Sequence, residues 1–255
     1  MIAKISSVHF CPIKSLSFQS AQTLIIKKNI GIEEDRIFAF SRGLNELDAK
    51  RVEKDPSDRK LIHFLTLKNS PGLNKYNFKY ENETITILKE NKEIASHLIE
   101  ENVNISKRLL DLEPDLPNPI YLLKNETFPF YDTTNSSNVS NTISLINLNS
   151  IKDFNKKINK DIELERFRGN IYVKDLKAFE EREWINKFIS INNVKFKVLK
   201  NIPRCSATNL KINSNEADIN LPVMLKKTYG HIDMGIYLTP LNNGKIKVGD
   251  IIDFN

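Results

Sequence analysis

The chain has 255 residues, 40% of them apolar and 27% charged, with a formal net charge of +6. That balance is ordinary for a globular protein; two cysteines exclude a four-cysteine iron–sulfur cluster built by this chain alone, and a Cys11–Cys205 disulfide is not expected, since nothing suggests an oxidising compartment. No apolar run approaches the roughly 20 residues of a membrane-spanning helix, and the N-terminus has no leader-like apolar core, so a soluble, cytoplasmic protein is expected.

In chain order, MIAKISSVHF alternates like a strand, with Ile2, Ile5, Val8 and Phe10 set between polar positions. RIFAFS (36–41), LIHFLTL (61–67), YNFKYE (76–81) and ETITILKE (83–90) show the same β-branched and aromatic alternation. IASHLIEENV (94–103) and ISKRLLDL (105–112) read as short helices. EPDLPNP (113–119) carries three prolines in seven residues, which ends any regular element. A division in this region gives two units, 1–118 and 119–255. DTTNSSNVSN (132–141) reads as a polar loop. Beyond it come strand patterns at 142–147, 169–175, 194–200, 235–241 and 245–254. NSIKDFNKKIN (149–159) has helical spacing, with Ser150 as its expected cap. The expected fold is mainly β with some α, as two β-barrel-like lobes with a few packed helices.

Familiar catalytic signatures are absent: there is no GxGxxG, Walker A or GxSxG stretch. The four histidines are dispersed without metal-ligand spacing. A Cys205–His231 nucleophilic pair stays open, because catalytic partners need not be neighbours in sequence. Several short stretches are suited to an anion. PIKS (12–15) offers Lys14 and Ser15, EEDR (33–36) offers Arg36, and ERFRGN (165–170) places Arg166 and Arg168 on alternate positions of an expected strand, with Gly169 allowing close approach. Arg204 stands beside Cys205. Singly, each cation reads as a surface charge. Together, cationic forks beside a thiol suggest a ligand bearing phosphate and something for sulfur to bind.

The order PIKS, DR, SLINLNS, RFRGNIYV, RCSATNL and YGHIDMGIYLTPLNNGKIKVGD resembles the MOSC proteins, and within them a bacterial branch similar to the mitochondrial amidoxime-reducing component. The resemblance extends over nearly the whole chain, including the β-barrel region that precedes the MOSC domain. It implies a binder of the molybdenum cofactor, a pyranopterin dithiolene carrying a phosphate, with Cys205 as the thiolate ligand of the metal. A soft thiolate suits a thiophilic metal already held by dithiolene sulfur. By the same resemblance Lys14, Ser15 and Arg36 match the phosphate contacts, while Arg168 and Asn170 match a cofactor-facing pair. Arg204 precedes the ligand, Tyr237 holds the GxY position, and Asp132 and Thr133 match a loop near the cofactor. The chain departs from the family at Cys11, where a tyrosine is usual, and at LKI (210–212) beyond the metal ligand. Of the T-x-R-x-x-P pattern, sought around AKRVEKD, only Arg51 is kept.

What the resemblance implies for activity is reduction of N-hydroxylated or N-oxide compounds, with electrons from a separate flavin reductase, ferredoxin or cytochrome b5-like protein. The alternative is a cofactor carrier or sulfur-handling protein without turnover, with Cys205 bearing a persulfide or holding the cofactor for delivery. Nucleic acid is not the expected partner. The lysine pairs at 27–28, 156–157 and 226–227 are scattered, and basic stretches interleaved with aromatics are missing.

Overall fold

The computed structural model describes residues 3–131 and 142–254. Asp132 and Thr133 lie outside the described residues. The first segment runs β1 (Lys4–Phe10), β2 (Gln19–Ala21), β3 (Thr23–Lys27), β4 (Gly31–Ile32), β5 (Phe38–Phe40), α1 (Glu46–Lys54), β6 (Asn77–Glu81), β7 (Thr84–Lys89), β8 (Lys92–Leu98), α2 (Asn102–Leu112) and β9 (Leu122–Lys124). The second adds β10 (Ile143–Asn147), α3 (Leu148–Ile158), β11 (Ile171–Lys174), β12 (Phe188–Ile191), β13 (Val194–Pro203), α4 (Leu221–Tyr229), β14 (Asp233–Pro240), β15 (Gly244–Lys247) and β16 (Ile252–Phe254).

The fold is mainly β. Eight strands form one curled sheet in the order β16-β12-β13-β14-β10-β11-β1-β2. It is antiparallel except where β10 and β11 run parallel, joined by α3 as parallel pairing requires. Alternation explains the burial. On β13, Val194, Phe196 and Val198 face inward while Lys195 and Lys197 face water. These inward residues meet Val8, Leu145, Leu238 and the small β15-β3-β4 sheet in one apolar core. Each such side chain fully buried contributes about 1.5–3 kcal/mol. A second core joins Phe38 and Phe40 of β5 to Phe78, Ile85 and Ile87 of the β6-β7-β8 sheet and to Ile105 and Leu109 of α2. Strand pairing runs across the 118/119 division: β1 pairs with β11, and β3 with β15.

Several local expectations change. IASHLIEENV does not begin as a helix; residues 92–98 are β8. Glu90 and Asn91 both adopt positive φ, as do Asn82 and Glu83 one turn earlier. Tight hairpins of that kind carry the chain straight back into the sheet, so pairing overrides helical spacing. LIHFLTL is not a strand, since Leu61–His63 is a 3₁₀ turn and Phe64 makes a single bridge to Ser41. The helix at α3 is present, but Asn147 caps it, its side chain accepting from the Asn149 N–H, while Ser150 sits inside the first turn.

Candidate functional site

Between the two cores lies a cleft of about 370 Å³. Three segments on one wall supply Lys14, Arg36 and Arg168. After β1, the turn Cys11–Leu16 carries Lys14 and Ser15. The approach to β5 carries Arg36, and the turn Leu164–Phe167 delivers Arg168. Ser15, Arg36 and Arg168 all have left-handed backbones, at φ 63°, 58° and 52°. Such a conformation costs a non-glycine residue about 1–3 kcal/mol, and it persists where surrounding structure enforces it, commonly at ligand sites. Here each reversal turns a polar side chain toward the cleft.

Cys205 ends the other wall. It is exposed, directly after the long strand β13, and its carbonyl accepts from the Thr208 N–H at 3.1 Å and the Thr208 Oγ1 hydroxyl at 2.8 Å. Those bonds fix the turn Ser206–Asn209 and leave the thiol facing the cleft, with Tyr237 of β14 alongside.

Six of the lining residues are cationic: Lys14, Arg36, Lys68, Arg168, Lys200 and Arg204. No acidic side chain is among the described lining residues. The cations differ in how they are held. Lys14 is buried and donates to the carbonyls of Phe130 (3.1 Å) and Tyr131 (2.9 Å). Arg36 is sandwiched between the rings of Phe18 and Tyr131, each 5.4 Å away, and is ion-paired to buried Asp35. Burial alone would lower its pKa, but the Asp35 carboxylate raises it, so the guanidinium stays charged. Asp35 also accepts from the Cys11 N–H (2.6 Å) and from Asn170 Nδ2 (3.4 Å), which ties all three cationic segments to one carboxylate.

Arg168 donates to the Leu16 carbonyl at 2.6 Å and lies over Phe18, and burial pushes its pKa down. Arg204 is an internal clamp. Its guanidinium donates to the Phe167 carbonyl at 2.7 Å and to the Met234 carbonyl at 2.9 Å, and burial lowers its pKa too. A desolvated cation whose charge is disfavoured gains from an arriving anion.

Asn170 lies beneath the cleft rather than on its lining. Its Oδ1 accepts from Ser144 Oγ (2.8 Å) and its Nδ2 donates to the His9 carbonyl (3.2 Å), pinning β1 to β10 and β11. Arg166 does not share a face with Arg168. The segment is a 3₁₀ turn, not a strand, and Arg166 points away into ion pairs with Glu163 (2.7 Å) and Asp218. The close neighbours of Gly169 are Ile146 and the Tyr172 ring, not a cleft ligand. Cys11 is fully buried, its thiol donating to the Ile13 carbonyl at 3.1 Å, and burial pushes its pKa up. His231 stacks on Tyr229 outside the cleft lining.

Sequence reasoning missed Thr66, Lys68 and Lys200. The first two lie in TLKNSP (66–71), which has the T-x-R-x-x-P spacing with lysine in place of arginine. Arg51 is instead exposed on α1, paired with Asp48 and Asp58. Thr66 is 2% exposed, and its Oγ1 is buried without a hydrogen-bond partner among the described residues. An orphaned hydroxyl of this kind in a cleft wall marks a place for a ligand atom or a water. No group of three His, Cys, Asp or Glu side chains among the described residues is placed to hold a metal ion. No helix among them is long and apolar enough to cross a membrane.

Residues 132–253 match the family model of the MOSC domain. The chain is 29% identical over 140 residues to mitochondrial amidoxime reducing component 2 of Bos taurus, covering 49% of this chain and 41% of that protein. It is 28% identical over 151 residues to mitochondrial amidoxime-reducing component 1 of Danio rerio, covering 56% of this chain and 46% of that one. The matches thus span less than half the length of these relatives. The crystal structure of the YuaD protein from Bacillus subtilis aligns with 99% of this chain and 94% of its own, at 11% identity and a TM-score of 0.46.

Proposed function

With a MOSC domain over residues 132–253, we propose that the chain binds the molybdenum cofactor in its cationic cleft and uses it to reduce N-hydroxylated or N-oxide compounds. The observation that carries the reading is an exposed thiol, Cys205, on the rim of a cleft whose charged lining, among the described residues, is entirely cationic. The residues fit the group. Lys14, Ser15, Arg36 and Arg168 would hold its phosphate and pterin through charge-assisted contacts, and the orphaned Thr66 hydroxyl offers one more donor. Cys205 would supply a single sulfur ligand. That matches the absence, among the described residues, of a protein cage able to hold a metal alone.

When bound, the cofactor would supply a redox-active metal able to take oxygen from an N–O bond. The chain's own part is to bind and orient it. Asp35 keeps Arg36 charged and aligned, and Arg204, directly before Cys205, ties the chain there to the carbonyls of Phe167 and Met234. Tyr237, half-buried on the same cleft lining as Cys205, would be the β14 hydroxyl available to assist proton delivery. Two electrons per turnover would come from a separate redox protein.

The exposure of Cys205 also supports a second reading, a carrier that holds cofactor or sulfane sulfur without turnover. Protein from a host that makes the cofactor decides between them. Molybdenum and pterin in equal amounts, with reduction of benzamidoxime by dithionite-reduced viologen, supports the enzyme. Bound cofactor without reduction, or sulfane sulfur on Cys205, supports the carrier, and the absence of both pterin and sulfane sulfur would refute both.

A further inference from the structure

The reductase reading requires electrons from outside the chain, and one face of β13 is built to meet a carrier of them. Resting on that reading, we propose that the outward row Lys195, Lys197 and Lys200 docks a small acidic electron-transfer protein against the mouth of the Cys205 cleft.

The row follows from strand register. Lys195 and Lys197 are two residues apart on the solvent face, about 7 Å at the ordinary rise of a strand. Simple alternation would then turn Lys200 inward. A bulge between Val198 and Lys200 inserts Leu199 and resets the phase, pairing Lys200 with Tyr237 just as Lys197 pairs with Thr239. All three lysines are therefore exposed on one line, and the last of them lines the cleft beside Cys205. Phe188, paired with Lys197 across β12 and 48% exposed, adds an apolar contact to the charged row.

The charges of this row are uncompensated. Some lysines of the surface take acidic partners, as in Lys27–Glu33, Lys50–Glu46 and Lys157–Asp153, and others do not; what sets this row apart is its alignment along one strand that leads to the cleft. None of Lys195, Lys197 and Lys200 has an ion-pair partner among the described residues. Asp253 lies on the same face, but two strands from Lys195, about 10 Å at the usual strand spacing. A line of like charges that leads to the mouth of the Cys205 cleft suits a partner with acidic side chains around its own redox group. Complementary charge of this kind speeds encounter and sets orientation more than it adds affinity. It would bring the donor to the cleft mouth rather than to the far side of the sheet.

The test uses the holoprotein and an acidic [2Fe–2S] ferredoxin as the probe. Charge reversal at Lys195→Glu and Lys197→Glu together should weaken ferredoxin binding at least tenfold at low salt and flatten its salt dependence, with the neutral pair Lys195→Gln and Lys197→Gln in between. Reduction of benzamidoxime by dithionite-reduced viologen, which needs no docking, should be unchanged in both, and that result also shows the variants to be folded. Equal affinity in wild type and charge-reversed protein overturns the docking face. So does a wild type that ignores ferredoxin but binds a DNA duplex. If the wild type binds ferredoxin and viologen drives no reduction, the functional reading fails, and the affinities still decide the surface.

Discussion

The cleft and the α3 flank of the sheet both bury a carboxylate, and they give it different partners. At the cleft, Asp35 is fully buried against Arg36, with the Cys11 N–H and Asn170 as further donors. On the flank, Glu181 is equally buried but meets neutral donors, Asn147 Nδ2 at 2.9 Å and Ser150 Oγ at 3.1 Å. Burial raises the pKa of both carboxylates, but at Asp35 the Arg36 guanidinium opposes it with a full charge, and a surplus of positive charge is left facing a cavity. The flank asks only for a hydrogen-bond acceptor where α3 leaves the sheet. Buried charge that is paired, strained and open to a cavity points to a ligand, whereas buried charge among amides and hydroxyls points to architecture.

The sharpest way to break that contrast is at the two thiols. Cys205→Ser should abolish benzamidoxime reduction and remove one sulfur neighbour at the molybdenum X-ray absorption edge, because oxygen is a harder ligand for a thiophilic metal. Cys11→Ser should keep both, while losing about 1–3 kcal/mol of stability for a rearranged buried polar group. Equal loss of activity in the two variants at matched cofactor loading would mean the metal ligand is misplaced. In the cofactor-free protein, iodoacetamide should label Cys205 alone, since Cys11 is buried and its pKa is raised by burial.

Next in size is a pair of arginines on the same cleft. Arg36→Ala should lower pterin occupancy about tenfold or more, read by fluorescence of the oxidised pterin, because it removes a charge-assisted contact to the ligand. Arg204→Lys should instead cost about 2–3 kcal/mol of stability, since one ammonium cannot span the carbonyls of Phe167 and Met234 that the guanidinium bridges. A variant of Arg204 that melts normally and loses cofactor would reverse these assignments.

Much of this was legible in the chain. Alternation marks β13 and β14, and the motif order identifies Lys14, Arg36, Arg168 and Cys205, all of which the structure gathers on one cleft. What the sequence hid was set by turns and by tertiary contacts. Arg166 and Arg168 look equivalent in ERFRGN, but a 3₁₀ turn and one left-handed residue send them to different places. Lys200 reads as inward until the bulge before it is known. Thr66 and Lys68 sit in a segment with strand-like composition that forms no strand, so nothing local announces that its residues wall a cleft. Asn170 fits the motif pattern, yet its amide is committed to Ser144 and His9, a partnership that only the sheet order reveals.

The smallest expected effect lies on the flank, where it isolates the architectural half of the comparison. Burial raises the pKa of Glu181, opposed in part by its bonds from Asn147 and Ser150. A carboxyl whose folded pKa exceeds its unfolded one binds its proton more tightly when folded, so its contribution to stability is complete below about pH 4.5 and is lost as pH rises through the higher folded value. Glu181→Gln keeps an acceptor for both partners and has no charge to lose. The variant's melting temperature should therefore gain on wild type as pH rises from 4.5 to 7, by a few degrees at the roughly 2–4 °C per kcal/mol usual for a chain of this size. Cofactor occupancy should not move, because the residue lies outside the cleft lining. A melting difference that is flat across that range would show Glu181 to be charged in the fold at no cost. The flank and the cleft would then no longer differ in how they hold a buried carboxylate.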